Sequence, residues 1–235
     1  MNVIVTGASR GIGYHTVLAL AKAGASKIIG ISRNYKQLCQ LKEECSQFSA
    51  VEFIPLAFDF QHIYTNEPQL TSLIKKNVDR IDILINNAGT IVNKPFEQIS
   101  SEEINRILTT NYTAPSVLIK SLLPLLKVGK AHVINITSMG GVQGSAKFKG
   151  LSHYSASKAA LATLTECLAE EFKNEGIIFN TLALGAVQTE MLAEAFPGYK
   201  APVTSEQMGE FIANFAINGK RFFNGKIIPV SISTP

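Results

Sequence analysis

Tyr154 and Lys158 are the side chains whose types and spacing point most directly to chemistry. Four positions apart, they project from one face of a helix. A phenol titrates near pH ~10, too high for an efficient base at neutral pH, and a neighbouring ammonium favours the phenolate and lowers that value. Such a phenol gives a proton to a carbonyl oxygen in one direction and takes one from an alcohol in the other. Taken alone, a Tyr/Lys pair at this spacing is more often a solvated helix face, so its meaning depends on its surroundings. A second chemical feature is Thr6-Gly7-Ala8-Ser9-Arg10-Gly11-Ile12-Gly13, directly after the apolar run Val3–Val5. Three glycines let a backbone turn sharply and approach a ligand. The helix that follows offers free N–H groups and partial positive charge to a diphosphate. An isolated glycine triplet serves tight packing equally well. No Lys-Ser/Thr follows the last glycine, so the turn is not a P-loop.

Short apolar runs at Val3–Val5, Ile28–Ile31, Val51–Leu56, Ile81–Ile85, His132–Ile136, Ile177–Leu182 and Lys226–Val230 alternate with segments of helical period. Near-continuous apolar strands are those of a parallel sheet covered on both faces. Ser100 and Glu103 have the spacing of a capping box that opens one long helix through Asn111. A second helix runs from about Ser152 to Asn174, with Ala156, Ala160, Leu161, Leu164, Cys167, Leu168 and Phe172 on one broad apolar face and Gly176 as its stop. Repeated strand–helix units predict an α/β, Rossmann-like doubly wound fold with a seven-stranded parallel sheet and helices on both faces. The 235 residues contain no Pro/Gly/Ser-rich linker, which predicts one dinucleotide-binding domain over 1–235 with a short lid segment at about 190–204.

The net charge of +4, from 22 basic and 18 acidic residues, suits an anionic cofactor but is no footprint for nucleic acid, and no nucleic-acid partner is expected. Cys39, Cys45 and Cys167 are odd in number and lack C-x-x-C spacing, so neither a disulfide framework nor a zinc site is indicated, and no metal is expected. No apolar stretch is long enough to span a bilayer and no signal peptide precedes the first strand, which predicts a cytoplasmic protein without a membrane partner.

The glycine turn has the spacing T-G-x-x-x-G-x-G, which resembles the short-chain dehydrogenase/reductase family. The resemblance extends over nearly the whole chain. Asn86-Asn87-Ala88-Gly89 resembles the family's N-N-A-G motif, Tyr154-Ser155-Ala156-Ser157-Lys158 its Y-x-x-x-K, Ser138 its catalytic serine and Asn111 the fourth member of its tetrad. The resemblance implies hydride transfer between a nicotinamide and a small carbonyl or alcohol substrate, with Asn111, Ser138, Tyr154 and Lys158 as catalytic residues. Ser138 would hydrogen-bond the reacting oxygen, and Asn111 would help hold a water that relays protons to Lys158. Cofactor contacts are expected from Gly7, Ser9, Arg10, Gly11, Ile12 and Gly13 in the turn, Ser32 and Arg33 after the second strand, and Asp59 and Phe60 after the third. Asn87, Ala88, Gly89, Tyr154, Lys158, Gly185, Val187 and Thr189 complete that set. Helices around Asn111 and Tyr154 resemble those that pair between subunits, which implies a homodimer or homotetramer.

An NAD-preferring site has an acid about 20 positions past the glycine turn. Here Gly30-Ile31-Ser32-Arg33-Asn34 has none, and Arg33 and Arg10 are available to a 2′-phosphate, which points to NADP(H). Three departures from the family pattern stand out. Leu184 replaces a usual proline before Gly185, which puts that loop's rigidity in doubt. Ser138 and Tyr154 are separated by extra residues around Ala146-Lys147-Phe148-Lys149-Gly150, whose lysines either attract an acidic group or face solvent. The chain's last segment, Ser231–Pro235, lacks a common Asp-Gly-Gly ending. Within this reading stand two alternatives: a 3-oxoacyl-thioester (acyl-carrier-protein) reductase, and a non-catalytic NADP-binding regulator, against which the intact Tyr/Lys pair argues.

Overall fold

The computed structural model describes residues 1–48 and 51–232; positions 233–235 of the C-terminal segment lie outside the described residues. The chain alternates β1 (Asn2–Thr6), α1 (Gly11–Lys22), β2 (Lys27–Ser32), α2 (Tyr35–Cys45), β3 (Glu52–Ala57), α3 (Ile63–Asn77) and β4 (Ile83–Asn86). It continues through α4 (Ser101–Leu108), α5 (Ala114–Gly129), β5 (His132–Ser138), α6 (Ser152–Glu171), β6 (Ile178–Leu184), β7 (Val187–Gln188), α7 (Glu190–Ala195), β8 (Val203–Thr204), α8 (Ser205–Asn218) and β9 (Lys226–Val230). Seven strands form one parallel sheet in the order β3-β2-β1-β4-β5-β6-β9, as expected from the apolar runs. Apolar side chains fill both faces. Val17, Leu20, Leu38, Ile212 and Phe215 pack one side, and Ile63, Leu70, Leu118, Leu122 and Phe179 the other. The chain leaves β1 in one direction toward β2 and β3 and in the other toward β4 and β5, so a crevice opens above the carboxyl ends of β1 and β4. None of the described helices is long and apolar enough to cross a membrane.

The helix expected to run unbroken past Asn111 is divided. Its capping box forms, Ser100 accepting from the N–H of Glu103 at 3.2 Å and Glu103 accepting from that of Ser100 at 3.1 Å. A widened π turn at Thr109–Thr113 then separates α4 from α5. Pro115 has no N–H to give to the carbonyl of Asn111, so the regular ladder lapses there. The second long helix ends at Glu171, followed by a short turn and Gly176 with φ +76°. Its buried face is rotated from the one the apolar residues suggest. Ser157, Lys158, Leu161, Ala162 and Thr165 are buried, whereas Ala156 and Cys167 are exposed.

A buried polar ladder explains that rotation. Asn135 donates to Thr165 Oγ1 at 2.9 Å, Thr165 donates to the carbonyl of Leu161 at 2.8 Å, and Thr181 donates to Thr165 Oγ1 at 2.8 Å. Each buried group thus finds a partner, as burial requires. His132, fully buried on β5, is 2.9 Å from the carbonyl of Ala216 through Nδ1 and 3.0 Å from Asn180 Nδ2 through Nε2. A carbonyl accepts only, so Nδ1 carries the hydrogen and Nε2 accepts from Asn180. Burial pushes this imidazole down to about 4. The folded state therefore resists protonation that the unfolded chain accepts below pH ~6.5, and stability is lost as pH falls from there toward about 4. The expected loss is roughly 3 kcal/mol across that window. Urea titrations of the wild type and His132→Gln at pH 7 and pH 4.5 check this: the wild type should lose more stability than the variant, and equal losses would contradict it.

Candidate active site

Tyr154 and Lys158 stand in the first two turns of α6 and face the crevice. Lys158 is 4% exposed, its Nζ donates to the carbonyl of Ile136 at 2.9 Å, and it lies 5.9 Å from the centroid of the Tyr154 ring. Ser138 ends β5 within hydrogen-bonding reach of Tyr154, and its Oγ accepts from the N–H of Gly140 at 3.2 Å. Asn111 lies behind this group, fully buried. Its Oδ1 accepts from the N–H of Thr90 at 2.8 Å, and its Nδ2 donates to the carbonyl of Thr90 at 2.9 Å and to Ser157 Oγ at 3.0 Å. A Cβ on Gly89 would stand 3.4 Å from both Asn111 Oδ1 and Lys158 Nζ. The ends of β4, the π turn and α6 thus converge at one point.

The sequence predicts that the ammonium lowers the Tyr154 phenol. In the folded protein burial raises it, a hydrogen bond to Ser138 pulling the other way. Burial also lowers Lys158 to about 8. The reason is shared desolvation: both charged forms lose water, and the ammonium is spent on a backbone carbonyl.

A cleft of about 550 Å³ runs over the crevice. Gly7, Ser9, Arg10, Gly11, Ile12, Ser32, Arg33, Asp59, Phe60, Asn87, Ala88 and Gly89 line it, with Ser138, Tyr154, Lys158, Gly185, Val187 and Thr189. Two of the residues selected from sequence do not line it. Asn111 is buried behind the wall, and Gly13 is a packing residue, since a Cβ there would stand 2.3 Å from the carbonyl oxygen of Gly7. Gly7 adopts φ +68°, and a Cβ there would also press to 2.9 Å from Ala88 Cα. The floor is fixed by Thr6, whose Oγ1 accepts from the N–H groups of Asn87 and Ala88, each at 3.0 Å, while Asn87 Nδ2 donates to the carbonyls of Thr6 and Gly7 at 3.0 and 3.2 Å.

The adenine-side end of the cleft carries a mark of an absent partner. Ser32 is buried, lines the cleft, and its Oγ has no hydrogen-bond partner in the protein. A buried hydroxyl without a partner is costly, so the residues present fit a polar ligand there, as a dinucleotide would supply. Arg33 is exposed at the same end. Arg10 is not free: its guanidinium pairs with Glu190 and lies 3.8 Å from Glu194, both on α7. Asp59 both lines the cleft and caps the turn that follows it, accepting from the N–H of Gln61 at 3.0 Å. Gln61, Arg106 and Thr110 also line this end and were not selected from sequence. Gln61 donates to the carbonyl of Arg106 at 3.1 Å and to Thr110, a contact between remote segments that no local motif announces.

Two of the departures acquire a physical account. Leu184 keeps the N–H that proline would lack, and β6 continues through it, in register with Ser138 of β5 and Val230 of β9. The N–H of Gly185 donates to Val230 at 2.9 Å, so the sheet fixes this backbone in place of proline. In the inserted loop, Lys147 turns back on its own chain, donating to the carbonyl of Val142 at 2.6 Å and to Ser145 Oγ at 2.7 Å, and Lys149 is exposed. The segment after Thr189 forms α7, and a two-residue parallel ladder between β7 and β8, absent from the sequence reading, closes its base.

A glycine turn at the switch point, a cleft of about 550 Å³ above it and a Tyr/Lys pair at the cleft's far end define a dinucleotide-binding oxidoreductase. Residues 1–200 match the family model for short chain dehydrogenase, and the chain belongs to that family. It is 36% identical over 199 residues to the ketoacyl reductase HetN of Nostoc sp., covering 82% of this chain and 66% of that protein. It is 33% identical to the 3-oxoacyl-(acyl-carrier-protein) reductase of Synechocystis sp., covering 80% and 74%. Among solved structures it resembles one provisionally assigned as an NAD(P)-dependent gluconate 5-dehydrogenase of Beutenbergia cavernae, holding NADP at low occupancy. That likeness has a TM-score of 0.85 and 26% identity, over 98% of this chain and 94% of that one.

Proposed function

We propose that this protein is an NADP(H)-dependent oxidoreductase that interconverts a carbonyl and an alcohol, with residues 1–235 acting as one dinucleotide-binding domain and 190–204 as a lid over the substrate. The observation that carries the reading is the buried Lys158 beneath the Tyr154 ring, with Ser138 in hydrogen-bonding reach of the phenol. When bound, the reduced nicotinamide supplies the hydride. Tyr154 gives the phenolic proton to the carbonyl oxygen as the carbon is reduced, and takes it back from the hydroxyl in oxidation. Ser138 donates a hydrogen bond to the same oxygen and stabilises its developing charge. Lys158, charged below about 8, stabilises the phenolate left behind, and Asn111, held by Thr90 and Ser157, would help hold a water that relays the replacement proton to it.

NADP(H) is favoured over NAD(H) by Ser32 and Arg33 where an acid would otherwise stand, and the NADP in the Beutenbergia cavernae structure agrees with that choice. Because Arg10 is paired with Glu190, Arg33 carries the larger share of 2′-phosphate recognition. The two reductase relatives favour a second reading, a 3-oxoacyl-thioester reductase, within the same chemistry. Carbonyl-dependent loss of NADPH absorbance in the wild type, absent in Tyr154→Phe, tests the proposal.

The protein works as a homodimer or homotetramer in the cytoplasm. Ala156, Ala160, Leu164 and Cys167 follow one another at helical spacing along the side of α6 turned away from the sheet, and none of the four is buried. On α5, Val128 is 67% exposed. A pairing of such faces between subunits would remove this apolar surface from water. Light scattering at micromolar concentration should give at least the dimer mass, and a monomer mass would contradict the assembly.

A further inference from the structure

We propose that Ser157 is a positioning residue for the reaction: its buried hydroxyl ties the Asn111 amide to the turn of α6 that carries Tyr154 and Lys158, and so governs how fast the proton that Tyr154 gives up is replaced. The inference rests on the oxidoreductase reading of the same site and adds to it a residue that does not line the cleft. Ser157 is fully buried, between Tyr154 and Lys158 in sequence. A serine inside a helix commonly returns its hydrogen to a carbonyl three or four positions back. Here that bond runs to the carbonyl of Tyr154 at 2.7 Å. It commits the hydroxyl hydrogen, so Ser157 hands on no proton itself, and it leaves the oxygen lone pairs to accept from outside the helix. Asn111 Nδ2 donates to that oxygen at 3.0 Å. The other bonds of the Asn111 amide go to the N–H and the carbonyl of Thr90. One amide thus joins the segment after Gly89 to α6, with Ser157 as its partner on the helix.

The other side of this turn is set by close packing. A Cβ on Gly141 would stand 2.8 Å from the backbone nitrogen of Ala159 and 3.0 Å from Lys158 Cβ, so the chain after Ser138 presses directly on α6. Lys158 Nζ is held by the carbonyl of Ile136 on β5. Those contacts hold α6 against β5 and the turn that follows it, and the Ser157–Asn111 bond holds it against the π turn. Asn111 Oδ1 and Lys158 Nζ border one small space beside Gly89, each 3.4 Å from where a Cβ on that glycine would stand. Without the Ser157 hydroxyl, Asn111 Nδ2 becomes a buried donor short of a partner, and the π turn is free to shift from α6. The water expected between Asn111 and Lys158 then loses its fixed seat, and the replacement proton arrives more slowly. Tyr154, Ser138 and the cleft walls keep their places, because β5 and the turn at Gly141 still hold them.

The test compares the full-length wild type with Ser157→Ala in two ways. The first is a double-mutant cycle of Ser157→Ala and Asn111→Ala in urea unfolding, which is expected to show a coupling of at least about fivefold in the folding equilibrium constant. Additive losses overturn the inference. The second is turnover of a neutral ketone with NADPH. Ser157→Ala is expected to lower kcat about tenfold, the size of one buried hydrogen bond, with KM and the dissociation constant of NADPH changed less than about twofold. The solvent deuterium isotope effect on kcat should rise in Ser157→Ala, and the isotope effect from 4-deuterated NADPH should fall, because proton replacement then limits the cycle. A smaller folded fraction alone lowers kcat and leaves both isotope effects unchanged; that result, or a wild-type kcat in Ser157→Ala, overturns the positioning role. A wild type that reduces no carbonyl compound removes the oxidoreductase reading and the positioning role with it, while coupling in the unfolding cycle leaves the Ser157–Asn111 tie standing.

Discussion

Tyr154→Phe should lose carbonyl reduction by roughly 10²- to 10⁴-fold while keeping its fold and its affinity for NADPH. The substitution removes one oxygen from a side chain whose ring position is fixed by α6 and by Lys158 beneath it. The proton donor disappears, but the cleft walls do not move. The pH dependence carries a sign that separates donor from spectator. Burial raises the Tyr154 phenol, so the proton is present at neutral pH and reduction needs no prior titration. Oxidation needs the phenolate and should accelerate as pH rises from 7, until Lys158, lowered to about 8, loses its charge. Steady-state rates in both directions between pH 6 and 9 check this. A variant with wild-type turnover, or an oxidation rate in the wild type that is flat with pH, would remove Tyr154 from the reaction.

Exchanging the residues at the end of β2 should redirect the cofactor. In Ser32→Asp with Arg33→Leu, the preference for NADPH over NADH should fall by roughly 10- to 100-fold, because a charge-assisted hydrogen bond contributes about 1.5–3 kcal/mol and each 1.4 kcal/mol is about tenfold. The lower figure is the better expectation, since Arg33 is exposed and its attraction is screened by salt. Ser32 acts differently. Its buried, unpartnered hydroxyl marks a position where a ligand atom completes a hydrogen bond, and a carboxylate in its place repels a phosphate while accepting from ribose hydroxyls. The dissociation constants of both cofactors for both proteins, at one ionic strength, decide the matter. An unchanged ratio would show that Ser32 and Arg33 do not meet the 2′-phosphate.

The sheet was legible because most strands are near-continuous apolar runs, and the glycine turn because its conformational demands fall on a few residues at fixed spacing. What escaped the sequence depended on polar residues used in the interior. Thr165 and Ser157 are buried on α6 because partners on β5, β6 and the π turn satisfy them, while apolar Ala156 and Cys167 stay outside, so hydrophobic periodicity alone misplaced that face. The π turn depends on one missing N–H, at Pro115, within a pattern that otherwise reads as helix. The place of Arg10 in the turn points to the cofactor, and its pairing with Glu190, 180 positions away, has no local signal. The same holds for Gln61 and Thr110, brought to one wall only by the packed fold. Leu184 shows the reverse case, a departure from a family pattern that the neighbouring strands make good.

The central claim is hydride transfer from NADPH to a carbonyl carbon with Tyr154 as the proton donor. Its most direct test is incubation of the protein with 4-deuterated NADPH, one C4 diastereomer at a time, and a panel of neutral ketones and aldehydes, followed by mass spectrometry of the alcohols formed. The account predicts one deuterium on the carbinol carbon from one diastereomer only, with the label absent in the Tyr154→Phe reaction over the same time. Alcohol formed without the label from either diastereomer, or label transferred equally by Tyr154→Phe, would contradict it.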